Sequence, residues 1–118
     1  MNYVEKVHDT VKLDELFAGN ETPVRVENVS LKSGAEFSRG CILAGASGVF
    51  EPVSAAADAK KVLVIAAEDA ASDTSVATVY TSGNFNLQKL STASSVVSAA
   101  DLVEPLRQVD IILSGLVV

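Results

Sequence analysis

A continuous apolar run, Val-Leu-Val-Ile-Ala-Ala over residues 62–67, places the strongest constraint on the fold of this chain. A run of this length between polar segments is typical of a β-strand that is buried on both faces, and it is short for a buried helix. The sequence therefore predicts a strand in the interior of a β-rich domain.

The kinds of apolar residue agree with this prediction. Hydrophobic residues make up 48% of the 118 residues, tryptophan is absent, and phenylalanine and tyrosine together make up only 5%. Val, Ala, Leu and Ile dominate, and β-branched residues favour strands. A chain of this length typically forms one domain. We expect a mainly β fold with one or two short helices and a core of small, tightly packed residues.

Further apolar segments between turn residues predict more strands. The first, Val24–Leu31, changes its alternation at Glu27 and Asn28, which predicts a β-bulge there. The Ser82-Gly83-Asn84 triplet predicts a turn. The full set of predicted strands is 24–31, 37–44, 49–53, 62–67, 75–81 and 110–118, with a hairpin loop over 44–48 and a short return through Phe85 and Leu87.

The best helix signal lies between residues 91 and 108. Ser98 with Asp101 three residues later predicts a capped helix start. Pro105 disfavours a straight helix through that point, so we expect two short pieces or a kink. The residues expected to face the core are Val97, Leu102 and Leu106.

Residues 1–22 form a separate zone in which isolated apolar residues are interleaved with polar and charged ones. Neither the helix period nor the strand period dominates there, so we interpret the zone as an N-terminal arm, followed by a single globular domain over residues 23–118. An arm of this kind can add a strand to the exposed sheet edge of a partner. Its candidate anchor residues are Tyr3, Val4, Val7, Val11, Leu13, Leu16 and Phe17.

The net charge of −6 disfavours binding to nucleic acid and to anionic lipid surfaces. No apolar run reaches the roughly 18 residues of a membrane span, and the first ten residues, MNYVEKVHDT, do not resemble a signal peptide. We therefore expect synthesis and use in a reducing cytoplasm. The single cysteine, Cys41, cannot form an internal disulfide and is expected to be a buried small hydrophobe.

The residues that enzymes and metal sites use are sparse. His8 is the only histidine and lies in the arm, so a Ser-His-Asp, Cys-His or zinc site would have to depend on it. Glu68, Asp69 and Asp73 offer oxygen ligands to a hard cation, but without the spacing of a calcium loop, which favours a solvated loop. We predict no catalytic residues, no metal and no cofactor.

Several segments together resemble the lambda-type head decoration protein family of tailed bacteriophages. The central stretch Val62–Asp69, followed by a small polar loop and by Thr78–Phe85, resembles that family's apolar strand, Thr/Ser loop and aromatic strand with a Ser-Gly-x-Phe turn. Arg39–Leu43 resembles its glycine-containing strand, and Leu106–Leu113 resembles its last helix and last strand. The resemblance covers residues 20–115, taken as an ordered series rather than as one motif.

This resemblance implies a small β-clip-like domain without catalytic activity. It implies a homotrimer that binds the major capsid protein at threefold and quasi-threefold positions on the exterior of an expanded head, and so resists internal DNA pressure. The protein would be made in the host cytoplasm and reside in the virion, and the arm would be its capsid-binding segment.

Two other functions compete with this interpretation. One is a small trimeric β-clip enzyme such as a deoxynucleotide hydrolase, which needs an acid-rich metal-diphosphate site and a base-recognition hairpin; neither is recognisable in the sequence. The other is a protein-binding module outside viruses, which a neighbouring gene for a major capsid protein would argue against.

Overall fold

Seven β-strands and four short helical segments form the part of the chain that this computed structural model describes, which is residues 16–19, 22–93 and 97–114. The prediction of a mainly β fold with short helices is confirmed. The strands are β1 (Phe17–Gly19), β2 (Arg25–Leu31), β3 (Ile42–Ala46), β4 (Val49–Pro52), β5 (Val62–Ala66), β6 (Val76–Asn86) and β7 (Ile111–Ser114). The helical segments are three 3-10 helices, Ala56–Lys60, Leu87–Lys89 and Ala99–Leu102, and one α-helix, α1 (Val103–Arg107).

Strand β6 is the longest of the described strands, with 11 residues, and it belongs to two sheets. Its first half lies between β2 and β5, both antiparallel to it. Its second half lies between β1, which is antiparallel, and β7, which is parallel. The two sheets are therefore held together by one continuous backbone.

Five strands close into a small barrel in the order β6, β2, β4, β3 and β5, with β5 pairing again with β6. Closure removes most sheet edges, which are otherwise sites of unwanted association. The barrel interior is filled mainly by small side chains, which suits the composition. Its buried residues are Leu31, Ala35, Cys41, Leu43, Phe50, Val64, Ala66, Ala70, Ala77 and Val79.

A second apolar core lies outside the barrel wall, between β3 and β5 on one side and β1, β7 and the C-terminal helices on the other. Because alternate residues of a strand face opposite sides, Leu43 points into the barrel while Ile42 points into this second core. The buried members are Leu16, Ile42, Ala44, Val53, Leu63, Ile65, Phe85, Val97, Ala99, Leu102, Leu106, Ile111 and Leu113.

Two local predictions are confirmed. The apolar run at 62–67 contains β5, whose residues from Leu63 to Ala66 are buried on both faces. The Ser98 backbone N–H donates to the Asp101 carboxylate (2.9 Å) at the start of the two predicted short helical pieces. Pro105 is the third residue of α1, where a backbone N–H would have no intrahelical partner in any case.

The predicted turn at residues 82–84 is wrong, because β6 runs through it without interruption. Glycine beside asparagine is a local turn signal, but β1 and β7 bind the backbone on both sides of this segment. Gly83 has a φ of 143°, and its N–H donates to the Asp110 carbonyl (3.1 Å). A Cβ there would lie 3.2 Å from the side chains of Phe85 and Val24, so the glycine serves a close approach instead of a turn.

The predicted bulge at Glu27 and Asn28 is also misplaced. The register between β2 and β6 shifts two residues earlier, between Arg25 and Val26, and is regular from there to Ser30. The pattern of apolar and polar residues in β2 changes phase because Val26 is an apolar residue on the exposed face. The strand itself carries no extra residue between Val26 and Ser30.

The strand predicted over 37–44 is shorter than expected. Phe37 makes only an isolated bridge to Ala70, and β3 begins at Ile42. Gly40 occupies a turn with a φ of 94°, where a Cβ would come within 2.7 Å of the Lys89 carbonyl oxygen. The last predicted strand is confirmed as β7 over Ile111–Ser114, and residues 115–118 lie outside the described residues.

Gly45 is required by the packing of the barrel interior. It pairs across the strands with Phe50, and a Cβ at this position would lie 2.4 Å from Cε2 of that ring. We predict that Gly45→Ala lowers the free energy of unfolding by about 1–3 kcal/mol, the usual cost of overpacking. Urea denaturation measures this loss. In a Phe50→Leu background the same substitution should cost clearly less, and an equal cost would show that the ring is not the cause.

Asp58 organises the connection between β4 and β5. Its carboxylate accepts hydrogen bonds from the backbone N–H groups of Ser54 (3.0 Å) and Ala55 (3.2 Å), and it pairs with the Lys61 ammonium at 2.8 Å. The carboxyl group is buried, and these contacts, the one with Lys61 first, hold its pKa below the usual range. All of them favour the ionised form.

We predict that Asp58→Asn destabilises the protein at neutral pH by about 1 kcal/mol, the typical cost of losing a capping carboxylate. Because the folded-state pKa is lowered, the contribution is complete above the unfolded pKa near 4 and disappears as the pH falls through the folded value. Denaturation curves at several pH values should therefore converge for the two proteins in acid. A stability difference that is unchanged at low pH would contradict this account.

Candidate interaction surface

One side of the barrel is not covered by the second core. Side chains on β2, β4 and the start of β6 that alternate with barrel-interior residues such as Ala77 and Leu31 point outward there. The pairings that align them are Asn28 with Thr78, Ser30 with Val76, Ser30 with Val49, and Val49 with Ala46. We define the uncovered barrel face by these outward positions: Val26, Asn28, Ser30, Ala46, Val49, Val76 and Thr78.

The uncovered barrel face is apolar in its larger side chains. Val26 is 56% exposed, Val76 is 54% exposed and Val49 is 43% exposed, and they come from three different strands. Single exposed valines are ordinary, but an aligned group across a sheet is typical of a surface that another protein covers.

The uncovered barrel face carries no charged residue, although the chain has 24 charged residues in total (9 basic and 15 acidic). Its polar groups are small, and the Thr78 hydroxyl donates to the Asn28 side-chain oxygen (2.9 Å). The nearest charges along β4 belong to the Lys32–Glu51 ion pair (3.5 Å) at the next outward row. A carboxylate also borders the face at Thr78, whose backbone N–H donates to Glu68 (3.0 Å).

A free strand edge adjoins the uncovered barrel face. Strand β4 pairs with β2 only at Ser30 and Leu31, so in the described part of the chain residues 25–29 have a neighbouring strand on the β6 side alone. Val24, which is 44% exposed, precedes this edge. An unpaired edge with exposed apolar side chains can accept an added strand from another chain.

The structure places two of the predicted arm anchors inside the domain. Leu16 is buried in the second core, and its carbonyl accepts a hydrogen bond from the Asn86 N–H (2.7 Å). The Phe17 ring lies 5.1 Å from the Tyr80 ring and 5.2 Å from the Phe85 ring. These two side chains are thus engaged within the fold. The other five predicted anchors, Tyr3, Val4, Val7, Val11 and Leu13, lie outside the described residues.

The predicted boundary between residues 22 and 23 consequently falls between β1 and β2, which both pair with β6. Sequence reasoning missed the role of Phe17 because residues 1–22 show no dominant helix or strand period that would assign it to the core. The one available signal was the chain's low aromatic content: Tyr80 and Phe85 on β6 need an apolar partner, and few other aromatic residues can supply one.

The acidic loop predicted as solvated makes specific backbone contacts. Asp69 accepts a hydrogen bond from the Arg39 N–H (2.7 Å), and Glu68 accepts one from the Thr78 N–H (3.0 Å). The Arg39 guanidinium also donates to the Ala67 carbonyl (3.2 Å) and to the Tyr80 hydroxyl (3.1 Å). Within the described ranges, no three His, Cys, Asp or Glu side chains converge as a metal site would require.

No protein-family model and no curated protein matches this chain. Among the residues that the structure describes, no helix has the length and apolarity needed to cross a bilayer.

Cys41 faces the barrel interior and is only 3% exposed. Burial raises the pKa of its thiol to about 11, against a partly opposing hydrogen bond with Ser91. We predict that at pH 8 the native protein reacts about 100-fold more slowly with Ellman's reagent than the urea-unfolded protein, because the reactive thiolate is scarce and shielded. Fast labelling of the native protein would show that the barrel opens near Cys41.

Proposed function

We propose that this protein is a structural decoration protein of a tailed-phage head. In this proposal a homotrimer binds the major capsid protein on the outer surface of the expanded shell, at threefold and quasi-threefold positions, and strengthens the shell against internal DNA pressure. The protein carries out no catalysis, needs no cofactor, is made in the host cytoplasm and resides on the capsid exterior.

The first support is the place of the resembling segments in the fold. The stretch Val62–Asp69 contains β5, and Thr78–Phe85 lies within β6. These strands pair with each other at Ile65 and Tyr80 and close the barrel. The resemblance thus concerns the strands that define the architecture and is not confined to a peripheral loop.

The observation that carries the proposal is the uncovered barrel face with its adjoining free edge. It is an uncharged, β-branched surface spread over three strands, which suits contact with a protein better than binding of a small polar ligand. A protein whose task is to hold neighbouring subunits together needs surfaces of this kind.

The arm is proposed as the part that attaches to the capsid. Leu16 and Phe17 fix its root to the second core, and the anchors before them, Tyr3, Val4, Val7, Val11 and Leu13, are proposed to contact the major capsid protein. Burying two such side chains contributes about 3–6 kcal/mol. Ordering about ten residues costs more than this, so backbone hydrogen bonds to the capsid must form as well. Three arms on one trimer then act together through their high effective concentration.

We predict that deletion of residues 2–12 abolishes most of the binding to expanded capsids while the domain stays folded. The deletion ends before Leu16, so it removes no residue of either described core. Co-sedimentation with expanded capsids of the encoding phage measures binding, and circular dichroism with thermal denaturation measures folding.

A length-matched control replaces Val4, Val7 and Val11 by serine and keeps the arm's charges. If the anchors act through apolar burial, this variant should bind nearly as poorly as the deletion. Full binding by the deletion variant would place the attachment in the globular domain and contradict the proposed role of the arm. Nucleotide hydrolysis that is lost through one point substitution would favour the trimeric enzyme instead.

A further inference from the structure

A relay of side-chain contacts connects the loop after β5 to the arm root, which we define as residues 16–19. The loop contacts Arg39, Arg39 contacts Tyr80, and Tyr80 contacts Phe17. We infer that Arg39 is a positioning residue that holds the arm root in place by acting through Tyr80 on Phe17. The inference goes beyond the proposed function and does not depend on it, because it concerns how the free chain fixes this segment.

The backbone gives the arm root little support. Strand β1 has three residues and pairs with β6 at two positions, Phe17 with Phe85 and Gly19 with Asn84, with a register irregularity between them. Strand β2, by comparison, pairs with the same strand at six positions. A short ladder contributes few backbone hydrogen bonds, so the seating of β1 depends on the side chains of Leu16 and Phe17.

The Phe17 ring depends on the position of the Tyr80 ring. It meets Tyr80 edge to face, at a centroid distance of 5.1 Å and an interplanar angle of 69°, and it lies 5.2 Å from the Phe85 ring. Phe85 has no exposed surface and is fixed by the second core, whereas Tyr80 is only half-buried. An edge-to-face contact requires a defined orientation of both rings. Rotation of the Tyr80 side chain would therefore remove one of the two aromatic contacts that seat Phe17.

Arg39 fixes the orientation of the Tyr80 ring. Its guanidinium donates to the Tyr80 hydroxyl (3.1 Å), and its Cζ lies 5.9 Å from the centroid of the same ring. The guanidinium also donates to the Ala67 carbonyl (3.2 Å), and the backbone N–H of Arg39 donates to the Asp69 carboxylate (2.7 Å). Because the planar guanidinium has several donors in a fixed geometry, it can stay bound to the loop while it holds the ring.

The turn that carries Arg39 is held in place by its backbone. Gly40 has a φ of 94°, and its N–H donates to the Ala66 carbonyl (2.9 Å). A Cβ at this position would lie 2.7 Å from the Lys89 carbonyl oxygen, so the turn packs closely against a distant segment. The relay thus begins on a fixed part of the barrel and ends where the arm joins the domain.

A double-mutant cycle on the full-length protein tests this inference. Arg39→Met removes the guanidinium and keeps a long stem, and Phe17→Leu removes the ring and keeps an apolar side chain. The readout is the amide hydrogen exchange rate of Asn86, whose N–H donates to the Leu16 carbonyl (2.7 Å) and loses this acceptor when the arm root opens. In the wild-type background Arg39→Met is expected to raise this rate about two- to fivefold, the size expected for exposed cation–π and hydrogen-bond contacts. In the Phe17→Leu background its effect is expected to be clearly smaller, because Tyr80 then has no ring to hold.

Arg107→Met is the matched control, since Arg107 is also exposed and pairs with a carboxylate, that of Glu104 at 3.1 Å, but lies in α1. It is expected to leave the Asn86 exchange rate unchanged in both backgrounds. An Arg39→Met effect that is equal in the two backgrounds, or absent, would overturn the inference and leave Arg39 with a role in the loop alone. If Phe17→Leu does not fold, Phe17→Met replaces it in the cycle. The experiment uses no capsid, so a failure to bind capsids would count against the proposed function and leave this result unaffected.

Discussion

Every other layer of this structure depends on the pairing of β6 with its four neighbours. One strand supplies the closing wall of the barrel in its first half and the centre of a second small sheet in its second half. The change of role occurs at Gly83, where the absence of a side chain lets Phe85 and Val24 approach the backbone. Phe85 then enters the second core with no exposed surface and contacts Phe17 and Tyr80.

This arrangement explains why small apolar residues are sufficient to fill the barrel interior. A five-stranded barrel has little interior volume, so alanines, valines and Cys41 fill it together with Leu31, Leu43 and Phe50, and the Phe50 ring occupies the space that a side chain at Gly45 would need. Most of the buried leucines and isoleucines lie in the second core, where helices and strands pack against the barrel wall. Strands β3 and β5 separate the two cores and are consequently apolar on both faces.

Because the second core lies on one side of the barrel, part of the barrel's outer surface is left uncovered. The second core covers β3 and β5 but not β2, β4 and the start of β6, so the outward valines of these strands face solvent in a single copy. The remaining side therefore stays exposed in a single copy, with Val26, Val49 and Val76 at its surface.

The sequence by itself determined the features that depend on near neighbours. The apolar run from Leu63 to Ala66 required a strand buried on both faces, the Ser98 and Asp101 spacing set the start of the helical pieces, and Cys41 was correctly expected in the core. Only the tertiary structure decided that Gly83 continues a strand, that Phe17 belongs to the core, and that Val26, Val49 and Val76 share one face. Alternation within a strand follows from local backbone geometry, whereas the register between strands far apart in the chain is set by the packing of the whole domain. The structural role that the sequence indicates for a glycine or a valine can therefore be changed by residues that are far away in the chain.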